Sequence, residues 1–586
     1  MSDLHYNNWP NDQGFNANTE QKSPIELTVT GSIPSYAAGT LYRTGPGRYQ
    51  VGTELGNTFA VSHWFDGFSQ THRFQILSPE APGAETRVLY NSRFSTDALV
   101  EDVRRTGGMQ KFTFGGRRER DPCQVIYGKV QSTYEPGGET KSETHTKPKP
   151  KPQEKDGAQE AAYANIGVTL SVNMPGMQGT STEPNQEQES LSGKISIHTL
   201  HAKSDNSSYK SLHPTTLEPL ALSTQTAHHP SLSGPLSASH AVTDPETGDL
   251  YNYNLAFDQT PTYRVFCVST LTGETTILAT FNATPAYLHS FFLTENHVVL
   301  CIWNAHLNPR DFAKGSYIGS MREFDDSVPA KWYVVDRRHG RGIVGIYESP
   351  AFFCFHTING WEEIGSQDSA ESDVDIIAEC VVYENTDVLR KLYYEYLLSD
   401  SPLPDAIPPP ESRGNGGKTK SRIARFRLPA VLSTSIPIPT SSEPAGPSET
   451  ANTPKATLEW TACETLSPEL PTLNPLFVTN RHRYTYAAID RGYSTLVDGI
   501  MKFDSVTRET ILWSEHGQSP GEAIFVPNPE GQEEDEGVLL SVVLDGVRVK
   551  PSSYLLVLDA KTLMEVGRAS VDGVVGFGFH GLHVSG

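Results

Sequence analysis

Short apolar runs alternate with turn-forming residues along nearly the whole chain. Residues 71–77 (THRFQIL), 263–268 (YRVFCV), 275–281 (TTILATF), 297–303 (HVVLCIW), 537–544 (GVLLSVVL) and 552–560 (SSYLLVLDA) are rich in Val, Ile, Phe, Tyr and Thr. Such side chains fit a pleated, half-buried surface, so each run predicts a strand. Between the runs fall most of the 48 glycines and 41 prolines, which punctuate them. Helical periodicity is scarce. Its best instance is residues 385–400 (NTDVLRKLYYEYLLSD).

A four-residue pattern recurs between strand-like runs. It opens on Asp or a similar acceptor, closes on Thr, and often has Gly next. It occurs at His213–Thr216, Asp244–Thr247, Ser269–Thr272, Asp504–Thr507 and Asp559–Thr562. An Asp carboxylate accepting from backbone two residues on closes a tight turn. Repeated strand–turn–strand units suggest propeller blades, the alternative being an ordinary hairpin turn with no repeat meaning. Four stretches read as insertions: 135–160 (with KPKPKPQEKDG), 174–193, 400–420 and 433–456. Their Pro, Ser, Thr and Lys content buries too little apolar surface to offset ordering entropy. The expected layout is a polar N-terminal segment over 1–30, then one β domain over 31–586.

Bulk properties narrow the partners. The chain has 586 residues and a net charge of −22. That charge argues against nucleic acid as a partner. Six cysteines, widely spaced and without a CxxC pair, predict free thiols and a cytoplasmic setting. The N-terminal residues lack the basic start and apolar core of a signal peptide. No run is long enough to span a bilayer. Peripheral membrane contact through a local apolar patch stays compatible with this composition.

Chemistry concentrates on histidine. Among 19 histidines, four sit at or beside apolar runs: His240 (SASHAVTDPETG), His289 (PAYLHSFFL), His356 (FCFHTINGWEE) and His580 (GFGFHGLHVSG). Buried imidazoles need partners, and one shared metal ion would serve all four. Their spacing carries no local signature such as HExxH.

The segments GTLYRTGPGRYQ (39–50), HWFDGFSQTHRFQI (63–76), LHSFFLTENHVVL, FHTINGWEE, ELPTLNP, EAIFVPNP and FHGL occur in order, and together resemble the carotenoid cleavage oxygenase family. That resemblance implies an all-β, seven-bladed β-propeller capped by loops and a few helices. It implies Fe(2+) held by His240, His289, His356 and His580, with His240 preferred over His228 and His229 in TAHHPSL. Acidic side chains behind the ligands would be Glu469, Glu522 and Asp205, the last one methylene shorter than the Glu of many relatives. Four neutral ligands leave the ion its full charge and up to two open positions for O2 or water. The implied activity is dioxygenase cleavage of a carbon–carbon double bond in a lipophilic polyene such as torulene, giving apocarotenoid aldehydes. An alternative is a stilbene-cleaving dioxygenase, which grips a phenol with a Tyr and a Lys. Phe94 stands where that Tyr is expected and Lys129 is the matching Lys. A metal-free propeller scaffold is a further alternative, and retinoid-type isomerisation ranks below it. HWFDGF reads as a structural hairpin turn at Asp66-Gly67. RTGPGR lacks the Lys and following helix of a phosphate loop.

Overall fold

The computed structural model describes residues 8–586, apart from 80, 82–83, 110, 117–156, 178–195, 258, 365–373, 399–417 and 432–452. Seven antiparallel sheets of four to six strands follow one another along the chain. The first joins Gly39–Arg48, Phe68–Leu77 and Arg87–Phe94 to the C-terminal strand His580–Ser585. Blades two to six are consecutive four-stranded meanders that begin at Thr169–Val172, Val242–Thr243, Phe292–Leu293, Phe353–Ile364 and Pro468–Thr472. In the seventh, Gln518–Pro520 and Ile524–Pro527 both pair with Gly537–Asp545, followed by Ser552–Asp559 and Glu565–Ser570. The ring is a seven-bladed β-propeller, as the family resemblance implies.

Both termini close it. His580–Ser585 returns to pair with Gly39–Arg48, while Thr28–Gly31 adds an outer strand beside Glu565–Ser570. Residues 25–26 and 28–30, grouped by composition with the polar N-terminal segment, are therefore parts of propeller strands. Further upstream, Phe15 is buried against Tyr49, Tyr394 and Phe577. Two aromatic anchors, Trp9 and Phe15, are enough to dock this otherwise polar stretch.

All five predicted turns are hairpins. In each, the first residue's carbonyl accepts the amide four residues on, at 2.8–2.9 Å. Its side chain also accepts nearby amides, as Asp559 does from Thr562. The accepted fifth residue is left-handed: Leu217, Gly248, Gly273, Arg508 and Leu563. Four of the turns join the third and fourth strands of a blade, and the Asp244 turn joins a first and second. Antiparallel strands put all of those connections on one face. The opposite face carries the second-to-third and blade-to-blade connections, which form the cap.

Two expectations change. Of residues 385–400, the described part, 385–398, forms only one helical turn, Val388–Lys391, and a 3-10 turn, Tyr394–Tyr396. The amides of Trp64 and Tyr394 exchange bonds with Leu392 and Ser62 carbonyls, which bends the segment across the cap. The longest described helix is instead Asp97–Thr106, with Leu99, Val100 and Val103 buried and Gly107 left-handed at its end. Of the insertions, residues 157–160 begin a helix, Gly157–Tyr163, and Met174 is buried beside Tyr209 and Leu232. Residues 418–420 and 453–456 are ordered flanks of strands. Apart from residues 175–177, the remainder of the four stretches lies outside the described residues.

Candidate metal centre

Each blade supplies one polar group to the propeller axis. His580 opens the innermost strand of the first blade, and His356 lies within that of the fifth. His240 and His289 immediately precede the innermost strands of the third and fourth. Glu469 lies in the innermost strand of the sixth, and Glu522 sits between the two short inner strands of the seventh. Asp205 comes from the second-to-third connection of the second blade.

The four histidines converge, with ligand-capable atoms all within 4.8 Å of one another. The rings of His580 and His356 stand nearly perpendicular to that of His240. His228 and His229 lie elsewhere. His228 packs on Tyr209, and His229 contacts Ser231.

Carboxylates fix the tautomers. Nδ1 of His289 donates to Asp205 at 2.7 Å, of His356 to Glu469 at 2.5 Å, and of His580 to Glu522 at 2.8 Å. The shorter Asp205 side chain thus makes its contact directly, and Tyr287 also donates to it at 2.9 Å. Tyr383 and the Leu470 amide donate to Glu469. Glu522 accepts the Gly581 amide at 2.6 Å and faces the buried Arg43 guanidinium at 3.6 Å. Burial pushes the Glu469 carboxyl up, but His356, Leu470 and Tyr383 together hold it below the usual range. Burial pushes Glu522 up to about 7 against the opposing pull of Arg43 and Gly581. Burial, reinforced by the neighbouring imidazoles, holds His240 and His580 well below the usual histidine range, so both are neutral.

This arrangement fits a metal ion. With Nδ1 protonated, Nε2 of a neutral imidazole has only a lone pair. Yet Nε2 of His580 lies 3.2 Å from Nε2 of His356 and 3.0 Å from Nε2 of His240. With both imidazoles neutral and protonated on Nδ1, the His356–His580 pair would set lone pair against lone pair in a buried site, which a shared metal ion relieves. Two nitrogens each about 2.1 Å from one ion at a right angle lie about 3 Å apart, the spacing seen. Oriented imidazoles with carboxylates behind them are the usual surroundings of bound metal.

Beside the centre lies a cavity of about 660 Å³, reached by His289, His356 and His580 and walled by Phe65, Phe355 and Phe579. HWFDGF contributes to its roof. Rather than a two-residue hairpin, it forms a 3-10 turn, Trp64–Asp66, and Asp66 accepts the amides of Phe114 and Gly115. Phe65 and Phe114 then meet edge to face at 4.7 Å. RTGPGR is inner-strand structure. At Gly45 (φ +154°) an added Cβ would meet Gly578 at 2.5 Å.

Phe94 does not reach the cavity. It is buried in the first blade with the Arg48 guanidinium 4.5 Å from its ring centre. Lys129 lies outside the described residues. Sequence reasoning missed Arg43 and Tyr383. Arg43 had a signal, an Arg within a strand-like run, whereas Tyr383 had none until its blade was placed.

The model of the retinal pigment epithelial membrane protein family matches residues 14–585. Torulene dioxygenase of Gibberella fujikuroi is 39% identical, covering 99% of this chain and 94% of its own length. Carotenoid dioxygenase of Neurospora crassa is 36% identical over 99% and 92%. Cobalt-substituted apocarotenoid oxygenase of Synechocystis superposes with a TM-score of 0.66 at 19% identity, covering 99% of both chains.

Proposed function

The chain belongs to the retinal pigment epithelial membrane protein family, and we propose that within it this protein is a carotenoid-cleaving dioxygenase. The observation that carries the reading is the buried four-histidine cluster opening onto an apolar cavity. The fungal torulene and carotenoid dioxygenases at 39% and 36% identity support a polyene as substrate.

His240, His289, His356 and His580 would hold the ion, and iron(II) suits four neutral imidazoles with positions left for small ligands. Bound there, iron would supply the activation of O2 that an alkene alone does not provide. The protein's own part is placement. Asp205, Glu469 and Glu522 keep three imidazoles protonated on Nδ1, which leaves each Nε2 lone pair for the ion. Phe65, Phe355 and Phe579 exclude water and hold a flat conjugated chain against the cluster. The overall change adds one oxygen atom to each carbon of one double bond, giving two carbonyl products. Both atoms of O2 are consumed, so no external reductant is required.

The test offers purified, iron-loaded protein and O2 torulene, β-carotene and resveratrol in separate reactions. Cleavage of a carotenoid to aldehydes is expected. Turnover of resveratrol alone would replace this reading with stilbene cleavage.

A further inference from the structure

One feature of the cavity serves neither the metal cluster nor the apolar wall. Lys391 and Asp490 both line it and form an ion pair, with side chains 11% and 16% exposed. Lys391 ends the helical turn in the cap connection of the fifth blade. Asp490 begins the cap connection of the sixth, just after the strand Tyr484–Ile489. Its place relative to the centre follows from register. Glu469, the partner of His356, lies opposite Ala488. Asp490 is two residues further toward the cap, or about 7 Å along the strand. Leu496 and Val497 line the same flank.

From this geometry we propose that the Lys391–Asp490 pair is the stop that sets how far a polyene enters, and so which double bond lies at the metal. The inference rests on the dioxygenase reading above. The physical reason is desolvation. A hydrocarbon terminus pushed against a mostly buried ion pair strips its remaining hydration and offers no hydrogen bond in return. The chain end therefore halts short of the pair, while Leu496 and Val497 accept it. Replacing both partners by apolar residues removes that penalty and leaves no unpaired charge, which a single substitution would. The terminus then advances, and the cut moves along the chain.

The experiment compares product masses. Wild type, Lys391→Met/Asp490→Leu and the reversed pair Lys391→Asp/Asp490→Lys are each given the same carotenoid. The apolar variant is expected to cut at least one double bond further from the stopped terminus, giving a longer aldehyde on that side. The reversed pair is expected to keep the wild-type products. Unchanged products from a folded, metal-loaded apolar variant would overturn the proposal, as would shifted products from the reversed pair. A length series of polyenes on the wild type tests the stop without any variant. One fragment should keep constant length whatever the other end, and two varying fragments would overturn the idea. Failure of wild type to cleave any carotenoid would instead refute the dioxygenase reading.

Discussion

Three of the four candidate ligands, His289, His356 and His580, each depend on the acid behind them. Glu469 anchors His356 and is itself held by Tyr383 and the Leu470 amide. Glu469→Gln is expected to weaken metal affinity about 10–100-fold with the fold intact. Competition with a chelator, followed by metal analysis, reads that loss. Elsewhere, His72 shows how burial shapes pH stability. It is enclosed in the first blade against Tyr90, and burial lowers its pKa to about 3. Unfolded, it would titrate near 6.5, so below that pH the unfolded chain takes up a proton the folded one does not. Its contribution is full above about pH 6.5. It is lost as pH falls toward 3, at up to about 1.4 kcal/mol per unit. His72→Gln should flatten the melting-temperature profile over that window, and an unchanged slope would contradict the assignment. At this scale the sequence was informative where chemistry repeats. Four histidines beside apolar runs drew notice, and the resemblance grouped them. Arg43 escaped because its role depends on Glu522, hundreds of residues away, turning toward it.

At the scale of elements, strands were legible because Val, Ile, Phe and Tyr clusters bounded by Gly and Asp leave few alternatives. The turn pattern was legible as well, and the structure adds that its five members share the face opposite the cap. They therefore report on stability and not on chemistry. Asp559→Ala removes the bonds to the amide and hydroxyl of Thr562 and is expected to cost about 1–2 kcal/mol. Denaturant titration reads that cost, while cleavage per folded molecule should not change. The helices were misread in both directions. Residues 385–400 had apolar spacing but are bent by cap contacts to the 62–64 segment. Asp97–Thr106 had its signals in plain view: acid at the start, arginines at the end, Gly107 after them. It was hidden only by its brevity within a chain of strands.

For the whole molecule, closure draws on both ends of the sequence, which no local pattern announces. Phe15 ties the N-terminal stretch to Tyr49 of the first blade's cap connection, Tyr394 of the fifth's and Phe577 near the C-terminus. Phe15→Ala is expected to cost about 3–5 kcal/mol. Equilibrium unfolding with a cost below about 1 kcal/mol would show that the stretch merely lies on the propeller. The ring explains why seven distant residues, one from each blade, meet at a single point. It also makes the central claim simple to test: that His240, His289, His356 and His580 hold one iron whose presence governs polyene cleavage. The direct measurement is iron per chain, taken on the same anaerobically purified samples used for carotenoid turnover, for wild type and His289→Ala. The account predicts about one iron per wild-type chain, cleavage proportional to iron, and neither in the variant. Cleavage by iron-free protein, or full iron and activity in His289→Ala, would contradict it.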